Sequence, residues 1–341
     1  MQNTRLWDGA GDGGLRFTEL GFGSAPLGNL FKAVSEAEAQ AVLDGAWAAG
    51  VRYFDTAPLY GLGLAETRLN TFLRGKPRQD YVISTKIGRL LRPSTPDRRD
   101  GIGKWIDVPS RTEVFDYSYD GVLRSLDASL ERLGLDRVDV VYAHDLDIFT
   151  HGSMAARQAL LEAFMAGGYR ALSDLRDQGV IRAFGAGVNE WEPCQWLMER
   201  GDFDIFLLAG RYTLLEQGAL GFMDAAAARG VGVVIGGPYN SGILASGARP
   251  GATFNYAPAP PEVLDRVMRL DRICAAQGVR MVDAAFQFPL LHPATVSVIP
   301  GGQGASEMAS NIRAAAAHVP PALWAALQAA GLIADGAPLG R

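Results

Sequence analysis

Two rhythms of apolar residues alternate along this chain. In the first, Val122, Leu123, Leu126, Leu130 and Leu133 fall three and four positions apart, which puts them on one face of a helix. In the second, just beyond Gly134, Val138-Asp-Val-Val-Tyr-Ala143 is short and rich in β-branched residues, and reads as a strand. The same exchange takes place at Gly50 before Val51-Arg-Tyr-Phe-Asp55, and at Gly75 before Tyr81-Val-Ile-Ser-Thr-Lys86. It recurs at Gly179 before Val180-Ile-Arg-Ala-Phe-Gly, and at Gly230 before Val231-Gly-Val-Val-Ile. Glycine suits the left-handed position at which helices commonly stop. Helix starts are marked as well. Ser35 with Glu38 forms a capping box for a helix running to Gly50, and a second helix spans about 65–74.

Helices alternating with apolar strands predict a parallel sheet covered on both faces. Eight strand segments can be placed, at 21–27, 51–55, 81–86, 138–143, 180–187, 205–208, 231–236 and 295–299. Eight such units in one domain-sized chain predict an α/β fold, a single closed (β/α)8 TIM barrel. Pro26 interrupts the first segment. The alternative, an open doubly wound sheet, is opposed by the lack of any composition shift or linker that would divide the chain. Residues 1–341 therefore read as one domain, with 1–15 a candidate flexible N-terminal segment. The long connections 88–117 and 237–260 both follow strands, which places them on the C-terminal face where barrel enzymes carry their active sites.

Composition narrows the class without naming it. Of 341 residues, 48% are apolar and 20% charged, ordinary for a globular protein. A net charge of −5 supplies no general field to recruit nucleic acid or an anionic membrane. Neither a signal-peptide core nor an apolar run of membrane-spanning length is present. Cys194 and Cys274 stand alone, too few for a disulfide framework or a metal cluster, and a reducing cytoplasm is the expected location.

Four polar residues change the picture. Asp55 ends the second strand segment, Tyr60 follows in its loop, Lys86 ends the third segment, and His144 follows the fourth. Each has an ordinary role when alone: a strand-end Asp caps a loop, a Lys is solvated, a His is structural. A barrel, however, brings neighbouring strand ends together, and these four groups then make a proton-transfer site. A tyrosine titrates at about 10 and is a poor acid or base near neutrality until a cation favours the phenolate. Lys86 supplies that cation in this reading, Asp55 keeps it charged and placed, and His144 hydrogen-bonds a substrate oxygen.

Phe54-Asp-Thr-Ala-Pro-Leu-Tyr60-Gly61, with Glu66 beyond it, resembles the signature of the aldo-keto reductases. Ile83-Ser-Thr-Lys86 and Val140-Val-Tyr-Ala-His144 are similar to that family's other catalytic segments, and Val298-Ile-Pro-Gly301 with Asn311 to its cofactor-binding eighth unit. The resemblance runs from about Leu20 to Asn311. It implies a (β/α)8 barrel, a nicotinamide cofactor, no metal, and hydride exchange with a carbonyl or alcohol. It also implies that Asp55, Tyr60, Lys86 and His144 are the catalytic tetrad, with Tyr60 the acid or base. Gly21-Phe-Gly-Ser-Ala-Pro-Leu-Gly28 and Tyr60-Gly-Leu-Gly63 superficially suggest a dinucleotide-binding fingerprint, but Pro26 sits badly in the helix that would have to follow.

Pro300, Gly301, Gly302 and Gly304 precede a helix, and free amides at a helix N-terminus suit the cofactor's phosphates. NADP-using relatives commonly carry a lysine and an arginine where this chain has Gly301 and Glu307. This departure predicts a preference for NAD, with NADP as the alternative. Asn189 keeps a position that grips the nicotinamide amide in the family. Val188, Ala209 and Gly236 stand where the family has Ser, Gln and a stacking aromatic, and Tyr239 is close enough in sequence to compensate for the last. Ser241 and Gly242 join the expected cofactor contacts.

The segments 84–93, 209–217 and 236–242 are similar to the aldose 1-dehydrogenase branch of the family, of the L-fucose or D-threo-aldose type, a pattern shared with pyridoxal 4-dehydrogenase. This branch implies oxidation of a sugar such as L-fucose, L-galactose or D-arabinose to its lactone. In the substrate pocket, Trp105 either stacks on a sugar face or anchors its loop. Asp145 and Asp147 either bind hydroxyls or are ordinary loop carboxylates. The competing functions are a general aldehyde or ketone reductase and, in another class, a cofactor-binding accessory subunit of a potassium channel.

Overall fold

The structure, a computed structural model, describes residues 3–10, 14–95 and 105–340. Eight parallel strands follow one another in chain order around a barrel. They are β1 (Phe22–Gly23), β2 (Tyr53–Asp55), β3 (Val82–Ile87), β4 (Val140–His144), β5 (Ala183–Val188), β6 (Ile205–Ala209), β7 (Gly232–Gly236) and β8 (Thr295–Ile299). Bridges from Leu20 to Val298 and from Gly23 to Gly301 bring the first strand against the last and close the ring.

The helices form where the pattern placed them. Ser35 and Glu38 exchange both capping-box bonds at the start of Glu36–Ala48. The helix Tyr119–Leu133 ends on Gly134, whose φ of 63° is the left-handed stop that glycine adopts without strain. Residues facing outward from the strands, such as Phe54, Ile83, Val141 and Phe184, are buried against the helices. Inward-facing Tyr53, Tyr142, Ile205 and Val234 fill the barrel itself.

The strand ends depart from expectation in places. The first strand stops at Gly23, and Ala25–Gly28 is instead a turn of 3-10 helix. Pro26 has no N–H to continue the ladder, so the chain leaves the sheet before it. Within the segment 1–15 expected to be flexible, Thr4–Trp7 forms an antiparallel pair with Leu15–Thr18, while residues 1–2 and 11–13 lie outside the described residues. This pair covers the N-terminal end of the barrel. Trp7 donates to the Gly230 carbonyl just before β7, and Arg182, just before β5, donates to the Gly14 carbonyl. Both long C-terminal connections contain hairpins, Arg89–Pro93 with Arg111–Phe115 and Thr253–Phe254 with Ala257–Pro258. Residues 96–104 of the first connection lie outside the described residues. Among the described residues, no helix is long and apolar enough to cross a membrane.

Candidate active site

Register brings the strand-end residues together. Asp55 pairs with Ser84, Lys86 with Tyr142, and His144 with Gly187. Side chains alternate across a strand, so Tyr53 and Asp55, Ser84 and Lys86, and Tyr142 and His144 all point into the barrel. The interior is filled upward from Tyr53 and Tyr142, and the polar groups occupy its C-terminal rim.

Asp55, Lys86 and His144 are buried, and Tyr60 is half-buried. The Lys86 ammonium donates to Asp55 Oδ2 at 2.7 Å and to the Thr56 carbonyl at 2.9 Å. Asp55 Oδ1 accepts from Ser84 at 2.7 Å, and the Ser84 hydroxyl lies 2.9 Å from that of Tyr53. Burial raises the Asp55 carboxyl by more than Lys86 and Ser84 lower it, so its pKa stays above the ordinary carboxylate value. Lys86 Nζ stands 4.7 Å from the centre of the Tyr60 ring, and the His144 ring meets Tyr60 edge-on at 5.9 Å.

Electrostatics at two of these groups differ from a simple lysine-activated phenolate. Burial, reinforced by the charges of Asp55 and Asp145, pushes the Tyr60 phenol well above its ordinary value. Without a ligand, the phenol is therefore protonated at neutral pH. Burial and the charges of Arg89 and Lys86 push His144 well below its usual value, which leaves a neutral imidazole. Among the described residues its buried Nδ1 has no hydrogen-bond partner, and its Nε2 lies 3.4 Å from Asp145 Oδ2.

Close packing sets the position of the Tyr60 loop. A Cβ on Gly28 would fall 2.5 Å from the Gly61 nitrogen, and one on Gly61, at φ 64°, would fall 2.5 Å from the Gly28 carbonyl oxygen. The glycines that superficially suggested a dinucleotide fingerprint instead let two backbones touch beside Tyr60. Glu66 is wholly buried, accepting from Thr85 at 2.9 Å and Arg132 at 2.6 Å, and so ties the outward side of β3 to two helices.

Arg89 was not singled out from the sequence, yet it is among the largest fully buried side chains. It pairs with Glu113 and Asp145 at once, beneath the Phe115 ring. Burial opposes its charge, but the two carboxylates outweigh burial and raise its pKa further. Asp145, at a φ of 56°, is pushed up to about 6 by burial, against the pull of Arg89. Asp147 is buried rather than a surface carboxylate. It caps Ile148–His151 through the Thr150 amide and binds both the backbone and side-chain nitrogens of Asn189. Asn189 Nδ2 also reaches Asp145 Oδ1 at 3.2 Å. Trp105 is buried with Leu59, Leu62 and Val108, and its ring centre lies 6.3 Å from that of Tyr60. It packs against these residues and beside Tyr60.

On the opposite side of the mouth, small residues end the strands. Ala209 at the end of β6 lies beside Gly236 at the end of β7. The Pro300 carbonyl accepts from Gly23, and Gly301, Gly302 and Gly304 lead into the helix Ala305–Ala315, which has no side-chain cap on Gly304. Glu307 folds back so that its carboxylate accepts from the Gln303 amide at 2.8 Å. Asn311 donates to the Gly301 carbonyl at 3.2 Å and accepts from Tyr239 at 3.0 Å. Ser241 Oγ accepts from the Tyr256 amide, and Gly242, at φ 91°, starts the short helix Ile243–Ser246. An uncapped helix N-terminus beside a glycine-lined floor fits an extended dinucleotide. Gly301, Gly302, Gly304 and Asn311 would hold it.

The model of the aldo/keto reductase family matches residues 19–331, so the chain belongs to the aldo-keto reductases, nicotinamide-dependent oxidoreductases. It is 42% identical to pyridoxal 4-dehydrogenase of Microbacterium luteolum, over 94% of this chain and 96% of that protein. It is 41% identical to D-threo-aldose 1-dehydrogenase of a Pseudomonas species, with the same coverage. The holo form of aldo-keto reductase AKR11C1 from Bacillus halodurans has the same fold, with a TM-score of 0.75 at 22% identity over 98% of this chain and 97% of that one.

Proposed function

We propose that this enzyme oxidises the anomeric carbon of a cyclic aldose to the lactone, with NAD preferred over NADP. The observation that carries the reading is the convergence of Asp55, Tyr60, Lys86 and His144 at one rim of the barrel. The similarity to an aldose 1-dehydrogenase and a pyridoxal 4-dehydrogenase supports the substrate class. A bound oxidised nicotinamide supplies hydride acceptance, and its ring brings a positive charge to the site. Tyr60, in its deprotonated form, takes the proton of the anomeric hydroxyl as C1 gives up its hydride. The Lys86–Asp55 pair holds a fixed cation against the Tyr60 ring. Neutral His144 hydrogen-bonds the reacting oxygen without competing for the proton. Trp105 and Asp145 border the substrate. Asn189, Tyr239, Ser241, Gly242 and Pro300 complete the cofactor side.

Glu307 is the basis for NAD. Its carboxylate lies at the start of the helix Ala305–Ala315, where it would repel an added 2′-phosphate. Pyridoxal, which also closes to a hemiacetal, is the second substrate reading, favoured by the 42% identity. A panel of L-fucose, L-galactose, D-arabinose, pyridoxal and simple aldehydes, each with both cofactors, tests the assignment. NADH formation with an aldose is the expected result. Faster aldehyde reduction than sugar oxidation would make it a carbonyl reductase. Tight cofactor binding without turnover would make it an accessory subunit, and equal efficiency with NADP would remove the NAD preference.

A further inference from the structure

Three aromatic side chains stand at the mouth with much of their surface in water. Phe31, Phe149 and Tyr256 are 49, 40 and 58% exposed. They come from the connections after β1, β4 and β7, yet they converge. Tyr256 has the Phe31 ring centre at 6.2 Å and that of Phe149 at 6.4 Å. The group lies beside the reacting residues: Leu30, next to Phe31, bridges Trp105, whose ring centre is 6.3 Å from that of Tyr60.

These rings are held out rather than left loose. Phe31 and Tyr256 both have a φ of 61°, a region that bulky side chains avoid. Strain of this kind persists only where the surroundings enforce it, and it concentrates at ligand sites. Here the enforcement is visible. The Tyr256 amide donates to Ser241 Oγ at 3.1 Å, and Arg211 holds the side chain of the preceding Asn255 at 3.1 Å. Before Phe31, the Leu30 carbonyl accepts from Gln303 at 2.6 Å. The Phe149 amide donates to Glu190 at 3.0 Å. Braced apolar rings facing water beside a reaction centre mark a surface that a ligand covers.

We propose that Phe31, Phe149 and Tyr256 form an aromatic clamp on the part of the substrate remote from the reacting carbon, selecting ring-shaped substrates over short acyclic aldehydes. The ring is either the C–H face of a pyranose or a heteroaromatic ring, since both stack on aromatic side chains. The inference rests on the site acting on cyclic substrates, as proposed above.

The test compares Tyr256→Ala, Tyr256→Phe and Phe149→Ala with the unaltered enzyme. The substrates are L-fucose and pyridoxal in oxidation, and pyridine-3-carbaldehyde and propanal in reduction. Cofactor Kd is read separately from tryptophan fluorescence. Each alanine variant is expected to lower kcat/KM about three- to tenfold for ring-bearing substrates. Propanal turnover and cofactor Kd should stay within about twofold, and Tyr256→Phe should restore the ring preference. Phe149 does not sit at positive φ, so its variant tests the clamp without altering a strained turn. Unchanged ring selectivity in both alanine variants overturns the proposal. So does an equal loss on propanal, or a weakened cofactor Kd, which would make the rings loop supports or a cofactor cover. A larger loss on L-fucose than on pyridine-3-carbaldehyde identifies a sugar face as the occupant, and the reverse identifies a heteroaromatic ring. If the unaltered enzyme oxidises no aldose, the proposed function fails, while the comparison of pyridine-3-carbaldehyde with propanal still decides the clamp.

Discussion

The two sides of the barrel mouth are built on opposite principles. On the side of β2 to β4, a series of buried ionised groups is tied in place, as in Lys86 with Asp55 and Arg89 with Asp145 and Glu113. On the side of β6 to β8, Ala209, Gly236, Gly301, Gly302 and Gly304 present mostly backbone, packed against Pro26 at Gly301 and open at Gly304. The first side fixes a few atoms for chemistry, and its charges stabilise one another only while all are present. The second offers backbone amides and a helix N-terminus instead, the side proposed above for the cofactor.

The sharpest way to break this comparison is at Tyr60. Tyr60→Phe is expected to lower kcat by about 10²- to 10⁴-fold with cofactor Kd unchanged, measured by steady-state kinetics and fluorescence titration. The pH dependence follows from the direction of the Tyr60 shift. Oxidation requires the deprotonated phenol, and burial keeps it protonated, so the oxidation rate should climb about tenfold per pH unit on the acid side of its pKa. Reduction uses the protonated form and should stay level through neutrality. An oxidation rate that is level from about pH 7 to 9 would remove Tyr60 as the base.

Arg89→Met tests the charged side through stability. Removing one member of a buried ion network leaves the others uncompensated, at about 3–5 kcal/mol, readable by urea unfolding. Asp145 and Glu113 would then face each other without their cation. Asp145 is pushed up to about 6 even with Arg89 present, and a carboxyl raised in the folded state loses stability as pH rises through that range. The deficit of the variant should therefore be larger at pH 8 than at pH 5, and a pH-independent deficit would show that Arg89 acts by packing alone. The smallest effect is expected on the open side. Glu307→Lys should raise the NADP-to-NAD ratio of kcat/KM by about tenfold, with little change in turnover with NAD. An unchanged ratio would place the 2′-position elsewhere.

The same contrast decides what could be read from the sequence. Asp55, Lys86 and His144 were legible because each ends an apolar strand, and the period of two puts them all inside the barrel. The Arg89–Glu113 pair was not legible. It depends on the register of a hairpin whose two arms lie far apart in sequence, inside what the sequence shows only as a long connection. The buried, capping role of Asp147 was hidden for a similar reason, since its partner Asn189 lies on the next strand's loop. The direction of the Tyr60 shift also required the structure, because the balance between burial and nearby charge has no signature in the order of residues. Apolar character continuing through Leu27 predicts a longer first strand than the structure has, because Pro26 cannot continue the hydrogen bonding.

The N-terminal hairpin has a consequence for traffic. With Trp7, Leu15 and Phe17 packed into the base of the barrel, that end is a stopper. Cofactor, substrate and both products must then share one doorway. An occupant seated deep in that doorway blocks whatever lies beneath it, so the sequence of arrivals and departures is imposed by the architecture. The loops that frame the entrance thus govern queueing as well as recognition.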